Sequence, residues 1–228
     1  MTPATCARAL RTRVKICCIS SPEEAQLAVH HGADVLGLVG SMPSGPGVIS
    51  DEDIAEIAAA APPGVATFLL TSETKADRIV DHHRRVRTTA VQLVDRVEDD
   101  DYATLRRDLP GVGLVQVVHV LDETSVREAL LLAQHVDALL LDSGNPTLAV
   151  KELGGTGRVH DWALSQQIVQ QSPVPVYLAG GLRATNVVSA IDTVHPFGLD
   201  LCSSVRTDGK LDEVKLADFF AAVRPTFA

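Results

Sequence analysis

The chain has 228 residues, 46% of them hydrophobic and 21% charged, with a formal net charge of −9. That length and apolar fraction suit one large domain or two small ones built on a substantial core. The acidic balance, with no block of Lys or Arg, argues against non-specific binding to nucleic acid or to an anionic membrane surface, so neither is expected as a partner.

Cys6, Cys17, Cys18 and Cys202 match neither a disulfide framework nor a zinc site, which points to a reduced, cytoplasmic setting and to no bound metal. Residues 1–13 contain no apolar targeting core and read as a short disordered lead-in, and no apolar run approaches membrane-spanning length.

From residue 14 onward, short β-branched and Leu-rich runs alternate with helical segments. Strands are expected over residues 14–18, 35–39, 65–70, 89–94, 114–120, 137–142, 174–178 and 198–201. Helices are expected over 22–31, 51–60, 73–86, 102–108, 125–134, 161–171, 184–191 and 212–223. Pro22 suits a first helical turn, and Ser50 with Asp53 forms an N-terminal cap. Continuous apolar strands between amphipathic helices indicate a parallel sheet covered by helices, and the count of units favours a single closed (β/α)8 TIM barrel over residues 14–228.

In a barrel of this kind the active site lies at the C-terminal ends of the strands, and a phosphate site is frequently built after the seventh and eighth. Three small-residue segments stand at such places: Gly154-Gly155-Thr156-Gly157, Ala179-Gly180-Gly181 and Cys202-Ser203-Ser204. Their backbone N–H groups can approach an anion closely, so Gly155, Thr156, Gly157, Gly180, Gly181, Ser203 and Ser204 are candidate phosphate ligands.

Cys17 closes the first strand and Asp142 the sixth. Side chains alternate along a strand, so Lys15 and Cys17 share the inward face and Cys18 falls on the other, as an inert buried thiol. An ammonium beneath Cys17 lowers its pKa and makes thiolate available near neutrality. An acid directly after Leu139-Leu140-Leu141 suggests a general acid, although Asp-Ser-Gly-Asn-Pro is also turn-forming. His30, His31, His82 and His83 read as solvated helix surface, His119 as a possible site residue at the end of the fifth strand, and His160 as a capping or packing group. Asp99-Asp100-Asp101 reads as a solvated helix start.

At this point the chain resembles the phosphoribosylanthranilate isomerase family, from Val14 to near its end. The resemblance rests on the order and spacing of Val14-Lys15-Ile16-Cys17, His31-Gly32-Ala33-Asp34, Val91-Gln92-Leu93, Leu140-Leu141-Asp142-Ser143, the Gly154–Gly157 segment with Asp161-Trp162, and Leu178-Ala179-Gly180-Gly181-Leu182 with Asn186-Val187. It implies a TIM barrel that carries out an Amadori rearrangement in tryptophan biosynthesis without metal or organic cofactor, on a small phosphorylated sugar-amine substrate, as a monomer or homodimer. The family's general-base cysteine maps to Cys17 and its general-acid aspartate to Asp142. Lys15 and Gln92 join the candidate binding residues.

The chain departs from the family pattern at four places. Cys18 replaces a usual Gly. The loop at residues 42–49 lacks the usual Arg that grips the anthranilate carboxylate, a charge-assisted contact worth about 1.5–3 kcal/mol. Val94-Asp95 replaces His-Gly, and Cys202-Ser203-Ser204-Val205-Arg206 replaces Ser-Ser-Gly-Val-Glu. Arg158, Arg183 and Arg206 are the candidate replacements for the missing Arg, and the glycines of the 42–49 loop permit it to act as a lid. A related isomerase of another phosphorylated sugar amine, or a non-catalytic binder of phosphorylated metabolites, remains an alternative on the sequence.

Overall fold

In the computed structural model, residues 11–43, 45–144 and 160–223 are described. Eight parallel strands close a barrel in chain order: β1 (Arg13–Ile16), β2 (Val35–Val39), β3 (Ala66–Thr71), β4 (Ala90–Leu93), β5 (Gly113–His119), β6 (Ala138–Asp142), β7 (Val176–Leu178) and β8 (Gly198–Leu201). Around them lie α1 (Pro22–His31), α2 (Asp51–Ala60), α3 (Ala76–Val86), α4 (Asp99–Asp108), α5 (Thr124–Leu132), α6 (Trp162–Gln171), α7 (Val187–Val194) and α8 (Glu213–Val223). A 3₁₀ turn (Ser203–Val205) and a small hairpin, β9 (Arg206–Thr207) with β10 (Lys210–Leu211), separate β8 from α8. The sequence pattern gave no sign of that hairpin.

Strand alternation divides the core into two layers. Val14, Ile16, Leu36, Leu38, Leu69, Val91, Leu93, Leu139, Leu141 and Leu199 face outward into the helices. Val35, Val39, Phe68, Leu70, Ala90, Val115, Val117, Leu140 and Tyr177 fill the barrel. A slip of one residue in any strand would exchange the two sets, so the register is strongly specified.

The helix ends follow from local chemistry. The Ser21 hydroxyl accepts from the Glu24 N–H at the start of α1, where Pro22 occupies the first turn. Gly32 ends that helix at φ 112°, a left-handed conformation that favours glycine. Two residues on, the buried Asp34 carboxylate accepts from the Val14 N–H at 2.9 Å and pairs with Arg13 at 3.1 Å and with Arg11. The His-Gly-Ala-Asp segment thus closes α1 and anchors the start of β1. Of the lead-in expected over residues 1–13, residues 1–10 lie outside the described residues, while Arg13 already belongs to the barrel.

Two histidine expectations are corrected. His82 and His83 are buried, not solvated: His82 Nε2 lies 3.0 Å from Asp51 Oδ1, and His83 Nε2 lies 2.7 Å from the Thr88 carbonyl oxygen. Both sit one turn after Ile79 and one before Val86, on the face of α3 that packs inward. Among the described residues, no helix is long and apolar enough to cross a membrane.

Candidate active site

A cavity of about 490 Å³ opens at the C-terminal ends of the strands, within the range of small-molecule sites. Cys17, Gln92 and Asp142 form part of its wall, together with Gly180, Gly181, Ser203 and Ser204. Five strands or the loops after them (β1, β4, β6, β7 and β8) therefore deliver the residues singled out in the sequence to one place. The segment with Gly155, Thr156 and Gly157 lies outside the described residues, as does Arg158.

Lys15 is completely buried and lies off the cavity wall, which removes it from direct contact with a ligand. Its Nζ donates to Asp200 Oδ1 at 2.8 Å and also reaches Cys17. The space for this arrangement comes from Gly37 on β2, where an added Cβ would stand 2.9 Å from Lys15 Nζ and 3.0 Å from Cys17 Sγ. Burial opposes the ammonium, but the neighbouring Asp200 and Cys17 outweigh it and raise the Lys15 pKa. Asp200 was not recognised in the sequence. Its place in β8, two residues after the inward Gly198, and its register opposite Lys15 are the signals that could have found it.

Cys17 and Asp142 are pushed in opposite directions. A hydrogen bond from Cys18 and the charge of Lys15 outweigh burial and the charge of Asp200, and hold the Cys17 thiol below its ordinary value. Asp142 is raised to about 6, chiefly by burial, with a further contribution from the negative charge of Asp200; the Ser143 N–H, donating to Oδ1 at 2.7 Å, opposes the shift. Gln92 is 3% exposed, and its Oε1 has no hydrogen-bond partner among the described residues, so an acceptor is left facing the cavity.

Gly180 (φ 84°) and Gly181 (φ 63°) adopt left-handed conformations at the end of β7. Asn186 fixes this turn: its Nδ2 donates to the Gly181 carbonyl at 3.0 Å, and its Oδ1 accepts from the Arg183 N–H at 2.8 Å. Arg183 is exposed on the cavity wall. Arg206 is occupied elsewhere, pairing with Glu24 at 3.0 Å and donating to the backbone carbonyls of Cys17 and Cys18. His119 occupies the inward position opposite Asp142 in the β5–β6 register, but it is not part of the cavity wall. His160 bonds Ser165 Oγ at 2.6 Å, a packing role.

The expectation for Cys18 is overturned. β1 ends at Ile16, and Cys18 has φ 61°, which turns its side chain away from the helix layer and into the cavity beside Cys17. Alternation along a strand does not extend past the strand's end.

The sequence profile described as N-(5'-phosphoribosyl)anthranilate (PRA) isomerase matches residues 14–222. The chain belongs to this isomerase family. It is 37% identical to the N-(5'-phosphoribosyl)anthranilate isomerase of Haloferax volcanii, with 94% of each chain covered. To that of Methanocella arvoryzae it is 33% identical, covering 94% of this chain and 99% of the relative. Among solved structures, phosphoribosyl anthranilate isomerase from Thermotoga maritima superposes with a TM-score of 0.79 at 31% identity, covering 94% of this chain and 99% of that one. A phosphoribosyl anthranilate isomerase in complex with reduced 1-(o-carboxyphenylamino)-1-deoxyribulose 5-phosphate superposes with a TM-score of 0.76 at 29% identity, with coverages of 94% and 99%.

Against the family pattern, the departures at Cys18 and in the loop after β2 belong together. Cys18 Sγ approaches the Pro46 carbonyl oxygen at 3.6 Å, and a Cβ on Gly47 would come within 2.5 Å of Cys18 Cβ. The thiol that replaces the usual Gly is accommodated by a loop with glycine at the contact. Met42, Gly45 and Pro46 of that loop, which holds no Arg, line the cavity.

Proposed function

We propose that the chain isomerises N-(5-phosphoribosyl)anthranilate to 1-(2-carboxyphenylamino)-1-deoxyribulose 5-phosphate, in cytoplasmic tryptophan biosynthesis, by general acid–base catalysis. The observation that carries this reading is the opposed tuning of two groups on one cavity wall: a thiol lowered and a carboxyl raised to about 6. Pairs of titratable groups driven apart in this way divide acid and base roles between them.

In the proposed sequence, protonated Asp142 donates to the furanose ring oxygen as the ring opens to a Schiff base. The Cys17 thiolate then removes the proton at C2 of the ribose, and the enamine that forms tautomerises to the ketose. Lys15 stabilises the thiolate from below, and Asp200 holds Lys15 in place. Substrate that covers the mouth excludes water and favours the neutral form of Asp142 further. The phosphate lies against the Gly180-Gly181 turn and the Ser203-Ser204 turn, with Gly155, Thr156 and Gly157 as additional ligands. Gln92 Oε1 accepts a hydrogen bond from the substrate. Arg183 and Lys215 are the cations on the described cavity wall, and Arg183, just after the Gly180-Gly181 turn, is placed to reinforce the phosphate grip.

The test is direct. Freshly generated phosphoribosylanthranilate is mixed with purified protein, and the loss of its fluorescence is followed. Turnover is expected, and Cys17→Ala and Asp142→Asn should each reduce it by about 10²–10⁴-fold, the worth of a positioned acid or base. No turnover at high concentrations of the wild-type protein contradicts the reading.

A further inference from the structure

Three thiols converge at the cavity mouth, and the acid–base reading uses only Cys17. Cys18 and Cys202 come from the ends of adjacent strands, β1 and β8, joined there by the Cys17 N–H donating to the Leu201 carbonyl at 2.7 Å. Their sulfurs lie 2.7 Å apart. Cys202 is half-buried on the cavity wall, where a small molecule can reach it, while Cys18, on the same wall, is 5% exposed. Arg206 is close enough for its charge to act on both sulfurs.

We propose that Cys18 and Cys202 are a reversible thiol–disulfide pair that senses low-molecular-weight disulfides and restrains the base Cys17. Cys202, the more exposed of the two, is the attacking thiol, and Cys18, whose pKa is pushed well up by its hydrogen bonds with Cys17 and Cys202 and by burial, resolves the mixed disulfide; intracellular disulfides are usually transient and redox-sensing. The Cys202 thiolate attacks one sulfur of the small disulfide and expels one thiolate. Cys18 then gives its proton to Cys17, to which it already donates a hydrogen bond, and attacks the mixed disulfide at Cys202 Sγ. The second small thiolate leaves. Two protein thiols are oxidised and one disulfide is reduced to two thiols; the Cys202 proton ends on a released thiol, and the Cys18 proton passes from Cys17 to the second released thiolate through solvent.

Oxidation removes the S–H of Cys18, the largest influence lowering the Cys17 pKa, so less Cys17 is ionised near neutral pH. The consequence for turnover rests on the acid–base reading above; the bond itself does not.

The experiment treats the protein with oxidised glutathione, blocks the remaining thiols and maps linked peptides by mass spectrometry. A Cys18–Cys202 link is expected that persists in Cys17→Ala and is absent from Cys18→Gly, which suits the φ of 61°, and from Cys202→Ser. Turnover of the oxidised wild type should fall about tenfold or more at pH 7, as for a lost hydrogen bond to a charged group, and return with dithiothreitol. Treated Cys202→Ser should keep its own untreated rate. The pair is overturned if every thiol stays alkylatable, or if the link involves Cys17. Control of Cys17 is overturned if the link forms without loss of turnover. Should the wild type show no turnover before oxidation, the acid–base reading fails and the linkage map alone decides the pair.

Discussion

The two ends of the cavity are built differently. Beneath β7 and β8, the backbone does the work: Gly180 and Gly181 hold left-handed conformations, Asn186 locks their turn, and Ser203 and Ser204 form a single 3₁₀ turn. Beside β1 and β2, side chains decide the shape: Cys18 fills the corner, Gly47 yields to it, and Met42 and Pro46 line the wall from a loop that holds no Arg. Backbone groups present the same N–H donors whatever side chains surround them, so the first end can hold its shape even where Cys202-Ser203-Ser204-Val205-Arg206 departs from the family's Ser-Ser-Gly-Val-Glu. The second end recognises through side chains and has diverged as a linked set.

Both ends stand over the buried Lys15–Asp200 pair, and the largest expected effect comes from breaking it. Asp200→Asn leaves an ammonium buried without its partner and should destabilise the fold by about 3–5 kcal/mol, read as a lower urea midpoint at unchanged slope. Loss of less than about 1 kcal/mol would mean that the pair does not anchor the site. Asp142 offers the opposite sign. Its pKa is raised from 3.8 to about 6 in the folded state, so the unfolded chain holds this proton less tightly. The group's favourable contribution is complete below about pH 4 and lost as pH rises through about 6, an effect of about 3 kcal/mol. Asp142→Asn should therefore raise the melting temperature at pH 8 and leave it nearly unchanged at pH 4, while it lowers turnover by about 10²–10⁴-fold. A melting temperature unchanged at pH 8 would place the carboxyl in water.

Matched glycine substitutions separate the two ends. Gly181→Ala and Gly47→Ala each force a side chain into a left-handed conformation, at φ 63° and φ 80°, at a backbone cost of about 1–2 kcal/mol, to which Gly47→Ala adds the clash of its Cβ with Cys18. Only the first should weaken competitive inhibition by inorganic phosphate. Equal weakening by both would dissolve the division between the ends.

The barrel was legible because its signals are periodic. Inward and outward residues alternate along every strand, and caps such as Ser21 and Ser50 mark helix starts. Cys17, Asp142 and the Gly180-Gly181 turn could be picked out for the same reason, standing at strand ends whose position the pattern fixes, whereas Gln92 came only from the family resemblance; all four line the cavity. Cys18 was not, because a positive φ at a non-glycine residue leaves no mark in the alternation. Asp200 was hidden because the whole run 198–201 was read as an apolar strand leading to a phosphate turn. His82 and His83 were misread because a polar helix conceals an inward face when its buried groups are histidines that find partners on α2 and in the turn before β4.

The opposed tuning of Cys17 and Asp142 is tested most directly by the pH dependence of kcat/KM, which reports the free enzyme's essential acid and base. The rate should rise as Cys17 ionises and fall as pH passes through about 6, where Asp142 loses its proton. In Asp200→Asn, which removes a charge that raises both groups, both limbs should move to lower pH. A profile flat from pH 5 to pH 8 in the wild type, or one that Asp200→Asn leaves in place, would contradict the account.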